Sequence, residues 1–96
     1  MRLKWSLFAQ SDRNKIYDYI ETDSSRAAVL VDERIGNAIA FLKEFPEIGR
    51  PGRVAGTREL VVQHTPYIAA YIIVGDTVQI LRILHGAQIW PGTLPK

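Results

Sequence analysis

Two arginines in predicted strands are the residues of this 96-residue chain best suited to recognition or catalysis. Arg82 lies inside the aliphatic run of residues 80–84, and Arg58 begins a second strand-like segment. Burying an unpaired guanidinium is costly, so each arginine needs a partner or a polar target. A guanidinium fork matches the oxygens of phosphates and carboxylates. We therefore interpret both as anion-recognition groups, with ion pairs to Glu59, Glu47 or a helix acid as the structural alternative.

His85 is the best candidate for proton transfer, because an imidazole titrates near neutral pH. It ends the predicted strand that contains Arg82. If the chain cleaved RNA, Arg58 and Arg82 would stabilise the phosphate charge and His85 would supply one proton-transfer group. No second such group is evident in the sequence. A lone histidine at a strand end is more often a structural hydrogen-bonding group, and that alternative stays open.

A metal or cofactor site is not expected. The chain has no cysteine, and its two histidines, His64 and His85, have no obvious third ligand beside them. The sequence also lacks a phosphate-binding loop, a dinucleotide-binding glycine motif and a Ser/His/Asp signature.

Basic residues are concentrated in the second half of the chain. Residues 48–96 contain five Lys/Arg against two Asp/Glu, whereas residues 1–47 contain seven against eight. Arg50 and Arg53 lie in the Gly- and Pro-rich segment 46–57, which predicts a long loop of the kind that often has a function. Trp90 follows near the C-terminus, where it either packs at the edge of the core or contacts a partner. This distribution favours a modest positive face, with a normal solvated surface as the alternative.

Hydrophobic periodicity predicts the elements that position these residues. It indicates a strand over residues 2–7, helices over 9–21 and from about 25 to 44, and strands over 58–63, 67–74 and 77–85. We predict an α+β fold, a helical hairpin packed on a twisted antiparallel sheet in the order β-α-α-β-β-β. Residues 1–91 should form a single domain, and residues 92–96 a flexible tail.

Period-two alternation assigns faces to the strands. It places Arg82 on the face of Val78, Ile80 and Leu84, so Arg58, Tyr71 and Arg82 could approach one another on one side of the sheet. In the first predicted helix, residues spaced three and four apart form an apolar stripe, and Asp12 falls within it. We interpret Asp12 as a first-turn acid favoured by the helix dipole, with a buried, paired carboxylate as the alternative.

A cytoplasmic protein is expected. The absence of cysteine suits a reducing compartment, and no apolar run approaches the ~20 residues of a membrane span. The first residues lack the apolar stretch and cleavage site of a signal peptide.

The chain resembles toxins of the RelE/ParE superfamily, from bacterial type II toxin–antitoxin modules, also called plasmid stabilisation systems. The resemblance covers nearly the whole chain. It rests on four segments at normal spacing, followed by Trp90-Pro91: residues 46–53, 56–62, 66–71 and 78–87. The fold that this implies is the one predicted above.

The superfamily divides in activity, and the resemblance implies two functions. Members similar to ParE poison DNA gyrase, and members similar to RelE cleave mRNA on the ribosome. The tract with Arg50, Arg53 and Arg58 and the ending at residues 85–87 look more like ParE. We therefore expect a gyrase inhibitor that is not an enzyme, with target contacts at Arg50, Arg53, Arg58, Arg82 and Trp90. The alternative is an endoribonuclease using Arg58, Arg82 and His85.

One departure from the family pattern supports a third hypothesis. Many relatives have a basic residue and then an acid before the tryptophan, where this chain has Gln88 and Ile89. According to this hypothesis, the chain is a degenerate, non-toxic protein that still binds an antitoxin.

The resemblance also implies a cognate antitoxin and a toxin–antitoxin hetero-oligomer. We expect an amphipathic antitoxin segment in an apolar groove near Trp5, Phe8, Leu30 and Phe41.

Overall fold

The computed structural model describes residues 1–95 and contains two helices and five strands. In chain order these are β1 Arg2–Trp5, α1 Leu7–Glu21, α2 Ser25–Phe41, β2 Arg50–Pro51, β3 Arg58–Val61, β4 Tyr67–Val74 and β5 Thr77–His85. The predicted α+β class and element order are confirmed. The loop predicted over residues 46–57 contains the additional two-residue strand β2.

Serine side chains begin both helices. The Ser6 hydroxyl accepts a hydrogen bond from the Ala9 amide, and the Ser24 hydroxyl accepts one from the Ala27 amide. Each bond satisfies one of the free N–H groups that every helix start leaves. Only a short turn separates α1 from α2, so the two helices form the predicted hairpin.

The sheet is mixed, which corrects the prediction of an antiparallel sheet. Its strand order is β1-β5-β4-β3-β2, and β1 pairs parallel with β5 while the other neighbours are antiparallel. The first strand therefore lies beside the last, after both helices have crossed the sheet. Parallel neighbours need such a long connection, whereas the β4–β5 pair needs only a two-residue turn.

The sheet has two buried faces of different size. The larger cluster lies against the helices and includes Ile35 and Ile39 of α2 with Tyr71 and Ile80 of the sheet. A smaller cluster on the opposite face consists of Val54, Ala70, Ile72, Leu81 and Leu94, with Trp90 packed against it. Leu94 falls in the predicted flexible tail, yet it is buried in this cluster, so the tail is attached to the sheet there. Lys96 lies outside the described residues.

A β-bulge in β5 changes the faces predicted for its second half. Tyr71 pairs with Ile80 but Ala70 pairs with Arg82, so Leu81 is the extra residue. Arg82 therefore lies opposite Ala70 of the smaller cluster, and not on the face of Ile80. The predicted approach of Arg82 to Tyr71 on one face is wrong for this reason.

Neither helix of the described chain, residues 1–95, combines the length and the apolar character needed to cross a membrane.

Candidate functional site

Arg50 and Arg53 converge on a single buried carboxylate, Glu59. The β2–β3 register places Arg50 directly opposite Glu59. Arg50 Nη2 lies 3.0 Å from Glu59 Oε1, and Arg53 Nε lies 3.1 Å from Glu59 Oε2. The Arg53 amide also donates to Oε2, at 2.7 Å. The Glu59 side chain is 2% exposed, whereas the Arg50 and Arg53 side chains are 55% and 40% exposed. The surface therefore presents two guanidinium groups and hides the acid between them.

The electrostatics of Glu59 follow from these contacts. Burial alone raises the pKa of its carboxyl group, but hydrogen bonds from Arg53 and Arg50 outweigh burial and leave the pKa below its ordinary value. Glu59 is therefore an anion at neutral pH. Removing its charge would leave two cations close together without their shared partner.

Trp90 joins this group from the C-terminal segment. The Arg53 guanidinium carbon lies 3.8 Å from the centroid of the Trp90 ring, a cation–π stack. Trp90 also packs against the smaller cluster, and its indole N–H donates to the carbonyl oxygen of His85 at 3.1 Å. We call Arg50, Arg53, Glu59 and Trp90 the arginine cluster. It lies on the sheet face away from the helices, since Glu59 pairs with Ala70.

His85 organises the turn that leads to Trp90. Its Nδ1 accepts a hydrogen bond from the Ala87 amide at 3.0 Å, and its own amide donates to Gln88 Oε1 at 2.9 Å. Its ring packs edge-on against Tyr67, with centroids 5.7 Å apart. Gln88, the residue that departs from the family pattern, therefore stabilises this turn, whereas Ile89 beside it is 97% exposed.

Arg58 lies on the other face of the sheet and anchors the loop after α2. It pairs with Tyr71, which belongs to the helix-side cluster. Arg58 Nη1 donates to the carbonyl oxygens of Gly49 and Glu47 at 2.9 and 3.2 Å. The Tyr71 hydroxyl accepts from the Gly49 amide and donates to the Pro46 carbonyl oxygen. Burial raises the pKa of Tyr71 above its ordinary value, so this hydroxyl stays protonated.

Arg82 is engaged by a helix acid. Its Nε and Nη2 lie 2.6 and 2.9 Å from the two oxygens of Asp12, a bidentate pair. Asp12 lies beyond the first turn of α1, so its interpretation as a first-turn acid is wrong and the buried, paired alternative holds. The structural alternative for Arg82, an ion pair with a helix acid, is also the one observed.

The five residues proposed to contact the target therefore do not form one site. The structure brings Arg50, Arg53 and Trp90 together, and it places Arg58 on the opposite face and Arg82 against α1. The three proposed catalytic residues do not converge either. Arg58 pairs with Tyr71 and His85 with Tyr67, four residues and roughly 13 Å apart along β4.

Sequence reasoning missed Glu59 as the centre of this site. Period-two alternation along β3 places Glu59 on the face opposite Arg58, and this is the signal in the sequence that points to it. The loop with Arg50 and Arg53 returns to that face, but its path cannot be predicted from local patterns. The position of Asp12 in an apolar stripe is visible in the sequence, but its partner, Arg82, lies 70 residues away.

The four residues proposed for antitoxin binding do not share one groove. Phe8 lines a depression with Lys4 and Leu81, and Leu30 lines another with Val29 on α2. The Trp5 ring lies under the Arg13 guanidinium, in a third depression.

Phe41 lines an apolar groove between α2 and β3. Its other apolar lining residues are Ala38, Ile48, Leu60 and Val61. We call it the α2–β3 groove. The single groove predicted from the sequence is therefore wrong, and only Phe41 of the predicted four lines this one.

Among residues 1–95, no three acidic or histidine side chains are grouped closely enough to hold a metal ion.

Comparisons with known proteins agree with the fold. The family model described as the ParE toxin of the type II toxin–antitoxin system parDE matches residues 3–90. The Sinorhizobium fredii protein Y4kP, provisionally named a toxin, is 46% identical over 93 residues, which cover 97% of this chain and 96% of the relative. Toxin RelE2 of Caulobacter vibrioides is 39% identical, and the match covers 88% of this chain and 94% of the relative. A solved structure titled the chromosomal ParDE TA system from P. aeruginosa superposes with a TM-score of 0.73 at 31% identity, covering 88% of this chain and 95% of that one.

Proposed function

The chain belongs to the ParE toxin family of type II toxin–antitoxin systems, and from that premise we propose that it inhibits DNA gyrase and is neutralised by a cognate antitoxin. The observation that carries the gyrase proposal is the arginine cluster. It offers the exposed guanidinium groups of Arg50 on β2 and Arg53 in the following loop, with the Trp90 indole beside them, and it offers no exposed group for bond cleavage.

The mode of action that fits this surface is binding. Guanidinium groups donate to carboxylate or phosphate oxygens in fixed directions, and arginine and tryptophan are the residues that most often dominate the energy of an interface. Arg50 and Arg53 would contact acidic groups of gyrase or of its bound DNA, with Trp90 packed beside them. The protein would then act as an inhibitor that is not consumed and converts no substrate.

Purified gyrase tests this proposal directly. Wild-type protein should inhibit supercoiling and increase cleavage complexes, and the double variant Arg50→Gln/Arg53→Gln should need about tenfold more protein, because it loses two charge-assisted contacts. Arg26→Gln controls for the loss of an exposed positive charge, since Arg26 is an exposed arginine of α2. Retained antitoxin binding would show that the double variant, which leaves Glu59 without its partners, is folded. No effect of the wild type at micromolar concentration would refute gyrase as the target.

A ribosome-dependent endoribonuclease is the second candidate, and the relative named RelE2 is the observation that favours it. Arg58 and Arg82 are both engaged by other groups, and His85 Nδ1 already accepts a backbone hydrogen bond. Primer extension on translated mRNA would reveal codon-bounded cuts if this candidate were correct. A loss of those cuts in Arg58→Gln, Arg82→Gln and His85→Asn variants that still bind the antitoxin would assign the three catalytic roles.

The non-toxic alternative rests on Gln88 and Ile89. The hydrogen bond from the His85 amide to Gln88 means that this departure keeps the turn intact. Expression without any antitoxin separates the alternatives, because a toxin arrests growth and a degenerate protein does not.

We place the antitoxin in the α2–β3 groove. The Phe41 and Phe45 rings lie 4.7 Å apart at its end, and Ile48 and Val61 are half-exposed beside them. These side chains form an apolar patch that an amphipathic segment would cover.

The edge of β3 adds a backbone template to this patch. Strand β2 pairs only with Arg58 and Glu59, so within the described chain the outer edge of β3 has no neighbouring strand at Val61. An extended antitoxin segment would pair there and place alternate side chains over Phe41 and Ile48. The partner we infer is thus a strand followed or preceded by apolar residues.

Binding of the co-expressed antitoxin tests this placement. Phe41→Asp and Val61→Asp should each weaken affinity at least about tenfold by placing a charge in an apolar contact. Val74→Asp is the control, since Val74 is similarly exposed but lies at the β4–β5 turn. Equal losses for all three variants would refute the groove as the site.

A further inference from the structure

Glu59 links β2 directly to the loop after it, and through Arg53 it is connected to the C-terminal segment. Its Oε1 accepts from Arg50 of β2, and its Oε2 accepts from the amide and side chain of Arg53 in the loop. Arg53 in turn stacks on Trp90 of the C-terminal segment. A change at Glu59 therefore reaches all three segments through named contacts.

The geometry of these bonds leaves part of each arginine unused. The bonds from Arg50 and Arg53 to Glu59 use the Nε and Nη2 groups. Within residues 1–95, neither Nη1 group donates to an acceptor. Because the guanidinium is planar and rigid, a carboxylate bound on one edge fixes where the remaining N–H groups point.

The position of Glu59 also explains how an acid can be buried on this face. Both of its oxygens are satisfied by charged donors, so its burial does not leave an unpaired anion. No other acid is paired with Arg50 or Arg53 in the described chain.

We propose that Glu59 is a positioning residue, which holds Arg50 and Arg53 with their Nη1 groups outward and, through Arg53, holds Trp90 against the sheet. The partner chemistry that this arrangement fits is an acidic side chain or phosphate of the target. The assignment of that target rests on the proposed function. The positioning itself is a property of this chain and can be measured without gyrase.

Fluorescence of Trp90 is the direct readout. In a Trp5→Phe background, where Trp90 is the only tryptophan, Glu59→Gln should shift the emission to longer wavelength as the Arg53 stack loosens. In an Arg53→Gln background the same substitution should cause no further shift, because its effect passes through Arg53. An unchanged spectrum in the first background, or an equal shift in the second, would overturn the proposal.

Functional assays then separate positioning from simple destabilisation. Glu59→Gln should weaken gyrase inhibition about tenfold while antitoxin affinity stays unchanged, because Glu59 is not among the residues that line the α2–β3 groove. Parallel losses of both would indicate a folding defect and overturn the positioning role. If the wild type does not inhibit gyrase, the proposed function fails, and the fluorescence comparison still decides the role of Glu59.

If Glu59→Gln does not fold, the wild-type ion pair can be titrated instead. Protonating Glu59 should move the Trp90 emission in the same direction as the substitution would, in a transition below the ordinary carboxyl range. The charged groups that face Glu59 are the guanidinium groups of Arg50 and Arg53. An emission that is constant until the protein unfolds would refute the coupling.

Discussion

Arg82 and Asp12 form a bidentate ion pair that ties α1 to the edge of β5 where the β-bulge interrupts it. Arg82 Nε lies 2.6 Å from Asp12 Oδ2, and the same oxygen accepts from the Ile83 amide at 2.9 Å. β1 covers the edge of β5 only as far as Ile80. The carboxylate of Asp12 therefore satisfies a backbone donor that no strand reaches.

Asp12→Asn should destabilise the protein by about 2–3 kcal/mol, because it leaves a largely buried guanidinium without its anion. The two side chains are only 24% and 11% exposed. Asp32→Asn is the control, since its pair with Arg13 has similar geometry but is about one-third exposed, and should cost about 1 kcal/mol or less. Urea unfolding measures both free energies, and equal losses would contradict the role assigned to burial.

Tyr71→Phe should cost about 1–3 kcal/mol, because the Gly49 amide would lose its acceptor in a buried site. The Tyr71 hydroxyl also closes the loop by donating to the Pro46 carbonyl oxygen. Tyr67→Phe provides the comparison, since Tyr67 is similarly buried but its hydroxyl makes no hydrogen bond within residues 1–95. Thermal unfolding of the two variants should differ clearly, and a similar small effect in both would show that the loop is held by other contacts.

Gly49→Ala should destabilise the same loop by about 1–3 kcal/mol through overpacking. A Cβ at Gly49 would lie 2.5 Å from Tyr71 Oη, and the Tyr71 side chain is fully buried. At Gly92 a Cβ would meet nothing within 4 Å, so Gly92→Ala should leave stability nearly unchanged. Chemical unfolding of both variants checks the prediction, which fails if Gly49→Ala behaves like Gly92→Ala.

Stability should depend on the ionisation of Glu59 in acid. Its pKa is lowered in the folded protein from an ordinary value near 4.5. The stabilisation is therefore complete above that ordinary value and is lost as the pH falls through the lower, folded value. The difference in unfolding free energy between wild type and Glu59→Gln should accordingly be largest at neutral pH and shrink below about pH 4.5. A difference that stays constant from pH 7 to pH 3 would contradict the ion-pair account.

Local patterns were sufficient for most of the fold. Apolar alternation predicted β4 and β5 with their observed bounds, and the Ser24 cap, together with Pro46 beyond the helix, bracketed α2. These features depend on neighbours within a few residues, so the chain reveals them without a structure. The direction of β1 in the sheet is different, because it depends on where the chain returns after two helices.

The site shows the same division. The sequence by itself determined which residue types are present and which segments contain them: Arg50 and Arg53 in a loop, Arg58 and Arg82 in strands, and Trp90 after a His-Gly turn. Only the tertiary structure decided their partners. Arg82, which follows the bulge at Leu81, pairs with Asp12. Arg58 binds the loop over residues 46–49, and the two-residue β2–β3 pair brings both loop arginines to Glu59. Strand register and loop path are set by packing between distant segments, and a shift of one residue changes which face every side chain takes.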